Sequence, residues 1–153
     1  MARLEDIPEP TRTVAATISC PSFDTHPFVT GPALADRRVA IISSAALIRR
    51  GDAPFHFGDT GHRTLAADIP SADILMTHVS INHDRSGYQR DLNTIYPVDR
   101  LRELAAEGVI AGIADTNYTI LGASDPAGME PAADQIAGQL RQERIDSVLL
   151  SPV

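Results

Sequence analysis

The sequence predicts a three-layer α/β/α fold built on a mostly parallel sheet. Three observations carry that expectation. Arg38-Val-Ala-Ile-Ile-Ser43, Ile74-Leu-Met-Thr-His-Val79 and Val109-Ile-Ala-Gly-Ile-Ala114 are short, nearly continuous apolar runs, the pattern of strands covered on both faces. Two later stretches repeat apolar residues at helical spacing. The connections in the back half are short, so that it reads helix, strand, helix, strand, an alternation that calls for right-handed crossovers.

Residues 1–36 are rich in Pro, Thr and Asp, and Pro8, Pro10, Pro21, Pro27 and Pro32 crowd out regular structure. They are expected to form an extended arm over an α/β domain of residues 37–153. The run at residues 38–43 is the first strand, and a polar loop follows in which Gly51, Gly58 and Gly61 punctuate the chain around His56 and His62. Residues 64–69 form a second strand closed by Pro70, and residues 74–79 a third. Residues 80–96 are polar and aperiodic, a loop long enough to suggest a function. Pro97 opens a helix with Val98, Leu101, Leu104 and Ala105 on one face, and Gly108 stops it. Residues 109–114 make the next strand and residues 122–131 a loop. Pro131 starts a second helix with a stripe of Ala133, Ile136, Ala137 and Leu140, running to about Glu143. Residues 146–150 are the last strand. The layout is Rossmann-like, and ligands of such sheets bind beyond the carboxyl ends of the strands. Here those ends are expected at Ser43-Ser44, residues 78–80, residues 115–117 and residues 151–153.

Composition narrows the functional classes. With 20 acidic and 13 basic residues the net charge is −7, and no basic cluster exceeds Arg37-Arg38 or Arg49-Arg50, so a nucleic-acid partner is not expected. No stretch reaches the ~18 apolar residues of a membrane span. The amino terminus carries acids and prolines where a signal peptide carries an apolar run, so no membrane association and a cytoplasmic location are expected. Cys20 is the one cysteine. It has no partner in the chain for a disulfide and no adjacent base, and it reads as unreactive. Gly58-Asp-Thr-Gly61 and the glycines at Gly122 and Gly128 match no phosphate-binding fingerprint and read as turns.

His78-Val-Ser-Ile-Asn-His-Asp-Arg85, with Asp91-Leu-Asn93 and Tyr96-Pro97 behind it, resembles the core of the selenoprotein B family of glycine/sarcosine/betaine and D-proline reductases. Leu101, Leu104, Gly108 and Ile110 continue the similarity. Arg38-Val-Ala-Ile-Ile-Ser-Ser-Ala45 is similar to the family's first strand, and Ile145-Asp-Ser-Val-Leu-Leu-Ser-Pro-Val153 to the strand that delivers its redox residue. The resemblance spans residues 27–153 and corresponds to the front portion of a family member. It implies reductive cleavage of a C–N bond in a small amino acid or N-methylated derivative. The nucleophile implied is a selenocysteine or cysteine just after Val153, with a second cysteine a few residues on. The chain therefore holds no cofactor of its own, and the 37–153 domain is expected to be incomplete at its C-terminal end, a UGA codon read as stop being the simplest account. A pyruvoyl-bearing partner subunit, a thiol reductant protein and an oligomeric assembly are implied as well. The His-rich central loop departs from the D-proline branch.

Within that frame His78, His83 and Asp84 are the candidate catalytic residues, and Ser80, Asn82, Arg85, Asp91 and Asn93 the candidate substrate contacts. His78 sits at a strand end, where it either acts on substrate or closes the sheet edge through hydrogen bonds. His83, Asp84 and Arg85 combine a titratable ring, an acceptor and a fixed cation, suited to protonating a leaving amine and pairing with a carboxylate. The alternative is a loop pinned by its own salt bridge. Ser80, Asn82, Asp91 and Asn93 contact substrate or order the loop. His78, His83 and Asp84 match no standard metal-ligand spacing, and no metal is expected. A second functional class also fits: a non-catalytic α/β module that binds a small anionic metabolite or a partner subunit through the same Arg85 and histidines.

Overall fold

The computed structural model describes residues 3–17, 22, 24–81 and 84–153. In chain order the elements are a short helix α1 (Thr11–Thr17), strands β1 (Arg38–Ser43), β2 (Leu47–Arg49), β3 (His62–Ala66) and β4 (Ile74–Met76), helices α2 (Ser86–Arg90) and α3 (Val98–Ala106), strands β5 (Gly112–Ile113) and β6 (Thr116–Ile120), helix α4 (Glu130–Gln142) and strand β7 (Ser147–Ser151).

β1 is the axis of the main sheet. Its Val39, Ala40, Ile41 and Ser43 are buried, as a strand covered on both faces requires. It pairs in parallel with β5 and β6 on one side and with β7 on the other. β3 adds an antiparallel strand beyond β6. The sheet is thus mostly parallel and mixed. β2 and β4 form a separate antiparallel pair.

Alternation along β1 sends Val39 and Ile41 to one face and Ala40 and Ile42 to the other. Val39 and Ile41 pack in one core cluster with Val98 and Leu101 of α3, together with Leu47, Leu65, Ile95 and Tyr96. Each such side chain contributes roughly 1.5–3 kcal/mol by leaving water. Tyr118 registers opposite Ile42. Its phenol pKa is raised by burial and further by the charge of Glu143, the residue that follows α4. A mostly parallel mixed sheet with α3 packed on it gives the expected α/β class.

Several boundaries differ from the sequence expectation, each for a local reason. The strand expected at residues 64–69 lies at His62–Ala66, because Ala67 and Asp68 already form the turn. The run at residues 74–79 is a strand only to Met76. Thr77 leaves the ladder to give both its N–H and its Oγ1–H to the Ala46 carbonyl, each at 2.9 Å. The arm contains α1 despite its prolines: Pro10 precedes the helix, and the Glu9 carboxylate caps its start by accepting from Thr13 Oγ1 at 2.6 Å and from Thr13 N–H. In α4 the buried positions are Ala132 and Ile136, and Ala133 is exposed. Gly108 stops α3 as expected, with φ of +74°.

The main correction concerns β6. Residues 115–117 were expected to be a polar strand end, yet they lead into and begin a strand that is central to the sheet. Its polar side chains are buried because they replace backbone partners. Asn117 Oδ1 accepts from Ile41 N–H of β1 at 2.7 Å, and Thr119 Oγ1 accepts from Leu47 N–H at 2.8 Å. Both residues are almost fully buried. Polar atoms in a core are tolerated on that condition.

Candidate functional site

Parallel strands share polarity, so the carboxyl ends of β1, β6 and β7 emerge side by side. Ser43 registers opposite Thr119 on one flank and Ser151 on the other. In a parallel sheet register partners point to the same face, and Ser43 and Ser151 use this. Their hydroxyls donate to one acceptor, the Ile95 carbonyl, at 2.8 and 2.9 Å. Ser44 accepts from Val153 N–H at 2.8 Å through its hydroxyl, and its own N–H donates to the Ser151 carbonyl at 3.0 Å. Just beyond, Ala46 takes a φ of +53° to turn the chain into β2, a left-handed conformation uncommon for a residue with a Cβ.

The chain from Thr77 to Pro97 folds down against these ends. His78 is buried, with 7% exposure. Its Nδ1 accepts from Ser80 N–H at 3.2 Å, so the neutral ring carries its proton on Nε2. Arg85 reaches back across the loop and donates through Nη2 to the His78 carbonyl at 2.8 Å and to the Ser80 carbonyl at 3.4 Å. Asp84 starts α2 by accepting from Ser86 N–H at 2.8 Å and from Ser86 Oγ at 3.1 Å. The side chains of His78, Ser80, Asp84 and Arg85 thus sit on one stapled segment. Asn82 and His83 lie outside the described residues, as does Cys20.

Asp91 and Asn93 belong to a second group. Asp91 Oδ1 accepts from both N–H and Nδ2 of Asn93 at 2.9 Å, and these bonds hold its carboxyl below the usual carboxylate range. Asn93 in turn accepts from Asp99 N–H at 3.0 Å and donates to Asp99 Oδ2 at 3.1 Å. This supplies α3 with the cap that Pro97 at its N-cap lacks. Arg102 pairs with Asp99 and donates to the Ala67 carbonyl. The loop is therefore anchored at one end to α3 and at the other to the β2–β4 pair. Its length in the sequence suggested a function, and local side-chain bonds tie down its described residues on both sides.

Tyr96 was noted in the sequence only as part of a motif, and its surroundings give it a role in the core beneath the site. Burial pushes its phenol up to about 12, although the neighbouring Asn117 side chain pulls the other way. The two side chains lie close without meeting hydrogen-bond geometry, so that Tyr96 Oη and Asn117 Nδ2 are buried without a partner. A phenol whose folded pKa exceeds its unfolded value near 10 contributes stability below about pH 10, and this is lost as the pH rises toward about 12. Wild-type protein is expected to lose up to about 2–3 kcal/mol over that window. Tyr96→Phe, with no proton to lose there, is expected to lose measurably less, as urea unfolding at about pH 9 and about pH 12 will show.

Among the described residues no group of three or more His, Cys, Asp or Glu side chains is arranged to hold a metal ion. No helix among them is long and apolar enough to cross a membrane. An open apolar groove of about 680 Å³ runs along β7, with Leu101, Leu104, Leu140 and Val148 in its lining, and it contains none of the site residues expected from sequence. The serines at the strand ends were not singled out as site residues. The signal available was a pair of small hydroxyl residues at the ends of two apolar runs.

Comparison with known proteins gives concordant matches. The family described as glycine/sarcosine/betaine reductase selenoprotein B matches residues 33–153. D-proline reductase subunit gamma of Acetoanaerobium sticklandii is 31% identical over 121 residues, covering 77% of this chain and 49% of that protein. Glycine reductase complex component B subunit gamma of Symbiobacterium thermophilum is 27% identical over 139 residues, covering 86% of this chain and 32% of that protein. The chain thus spans about half the length of the first relative and about a third of the second. No solved structure matches.

Proposed function

The chain belongs to the glycine/sarcosine/betaine reductase selenoprotein B family, and from that premise we propose that it is the front portion of a reductase subunit that cleaves a C–N bond of a small amino acid or N-methylated derivative. The redox residue of this reading is a selenocysteine or cysteine directly after Val153. Ionised, it displaces the amine at the α-carbon and forms a C–Se or C–S bond. A thiol of a reductant protein then attacks that selenium or sulfur, the carbon fragment leaves with a proton, and a second thiol reduces the mixed selenide–sulfide or disulfide that remains.

One observation carries the reading. The end of β7 is bonded to the end of β1 and, through the Ile95 carbonyl, to the loop that holds His78 and Arg85. Val153 itself packs against the core cluster that includes Ile95, as do Tyr88 and Leu92 of the same loop. In this reading a residue attached to Val153 starts from the joined ends of β1 and β7, where the Ile95 carbonyl ties the loop to the sheet. In this role His78 and His83 are the two candidates for delivering a proton to the departing amine, the ring taking up a solvent proton on one nitrogen as it gives one up from the other. Arg85 holds the His78–Ser80 backbone in place, and its guanidinium face is the group suited to a substrate carboxylate. Ser80, Asn82, Asp91 and Asn93 are the further candidate substrate contacts, and Asp84 is a third candidate catalytic group whose carboxylate accepts from Ser86. Both curated relatives are named as subunits, which supports a multi-subunit assembly, and in this reading a pyruvoyl-bearing subunit of it holds the amine.

The test is a reductase assay on the full-length protein with its partner subunits. D-proline, glycine, sarcosine and betaine are offered in turn, with a dithiol as reductant. Dithiol-dependent loss of one substrate, abolished when the residue after Val153 is replaced by serine, is the expected result. Turnover that survives the replacement would remove the basis of the proposal.

A further inference from the structure

The reading above leaves unassigned the serines at the ends of β1 and β7, and their geometry goes beyond what stabilising a sheet requires. A chain leaving an edge strand is ordinarily free to fray. Here three features act on the same few residues. Ser151 and Ser43 converge on the Ile95 carbonyl at 2.9 and 2.8 Å, so that the carbonyl accepts from two adjacent strands at once. Ser44 accepts from Val153 N–H at 2.8 Å, two residues beyond the last paired strand position. Pro152 lies between them, fixing its own φ and restricting Ser151 to extended conformations.

Gly122 is part of the same arrangement. A Cβ at that position would meet Ser44 Cβ and Oγ at 3.0 Å and the Ser44 carbonyl at 3.1 Å. Its N–H donates to that carbonyl at 2.9 Å. The absence of a side chain at Gly122 is what lets the β6 end close on Ser44 and hold it toward Val153.

We infer that Ser44 and Ser151 are positioning residues: they set the direction in which the chain leaves β7 and so place the residue after Val153 against the loop that holds His78. The inference rests on the redox residue following Val153. Ser151 acts through the Ile95 carbonyl and thereby ties strand end and loop into one unit, while Ser44 acts through the Val153 backbone. Neither needs to touch substrate. Displacing a nucleophile by about 1 Å costs on the order of 100-fold in rate, so losing one of these bonds is expected to act on turnover and not on the chemistry of the nucleophile itself.

The experiment uses the full-length protein with Ser151→Ala, Ser151→Thr and Ser44→Ala, and measures kcat, KM and the pH dependence of iodoacetamide alkylation at the redox residue. In the two alanine variants kcat is expected to fall about 10- to 100-fold with KM within about twofold. The alkylation midpoint should stay where it is in wild type. Ser151→Thr, which keeps the hydroxyl, should recover turnover to within about threefold of wild type. Unchanged kcat in both alanine variants overturns the inference. So does a loss that threonine does not restore, or a moved alkylation midpoint, which would make the serines direct modulators of the nucleophile. A wild-type protein with no alkylatable residue after Val153 instead removes the proposed function, and this inference with it.

Discussion

Asn117→Ala is expected to destabilise the protein by about 3 kcal/mol, among the larger effects of any single substitution in the fold. Asn117 is 1% exposed, and its Oδ1 is the acceptor for Ile41 N–H in the middle of the central strand. Alanine removes that acceptor without admitting water. A buried donor left unpaired costs about 1–3 kcal/mol, and the space vacated by the amide adds to it. Asn117→Asp keeps the acceptor and the shape but places a carboxyl where only a neutral group is tolerated, so its deficit is expected to be small at low pH and to grow as the pH rises. Urea unfolding of the two variants at two pH values separates the hydrogen bond from the volume. A loss below about 1 kcal/mol in Asn117→Ala would contradict the assignment.

Arg85→Ala is expected to act in the opposite manner, with a small effect on global stability and a large one on the loop. The Arg85 guanidinium bonds to the carbonyls of His78 and Ser80, and the residue itself is exposed. Its loss removes a charge-assisted staple but leaves the core cluster intact. Global stability should change by no more than about 1 kcal/mol, since an exposed cation contributes little to folding. Amide exchange in residues 78–90 should rise at least about tenfold, and reductase turnover of the full-length protein should fall on the order of 100-fold. Lysine keeps the charge but not the fork and should restore little of either. Hydrogen exchange by mass spectrometry gives the local result. Exchange unchanged in this segment would show that Arg85 does not hold it.

These two residues also show what the sequence alone could reveal. β1, α3 and β7 were legible within a residue or two because their cores are apolar and their limits are marked by Gly108 and by polar ends. The family resemblance, carried by residues 78–85 with Asp91, Asn93, Tyr96 and Pro97, was legible and is matched by the family comparison over residues 33–153. β6 was not legible. Thr116-Asn-Tyr-Thr119 looks like a loop, and it is buried only because Asn117 and Thr119 stand in for backbone acceptors, which no periodicity reveals. β2 was missed because three residues give too short a pattern to separate from the turn that follows. In the site, His78 and Arg85 were marked by position and chemistry, whereas the meeting of Ser43 and Ser151 on Ile95 depends on strand register between distant segments. Asp91 and Asn93 were read as substrate contacts or loop-ordering residues, and the bonds they make run to each other and to Asp99 of α3.

The central claim is that a redox residue follows Val153 and is held beside the loop carrying His78. The most direct measurement is iodoacetamide labelling of the reduced full-length protein, with the modified residue located by peptide mass spectrometry and activity followed in parallel. The account predicts that label accumulates on a selenocysteine or cysteine next to Val153, that it does so near neutral pH, and that activity falls in step with it. Labelling confined to Cys20, or full activity in protein labelled after Val153, would contradict the account and favour a module that binds a small anion or a partner subunit without redox chemistry.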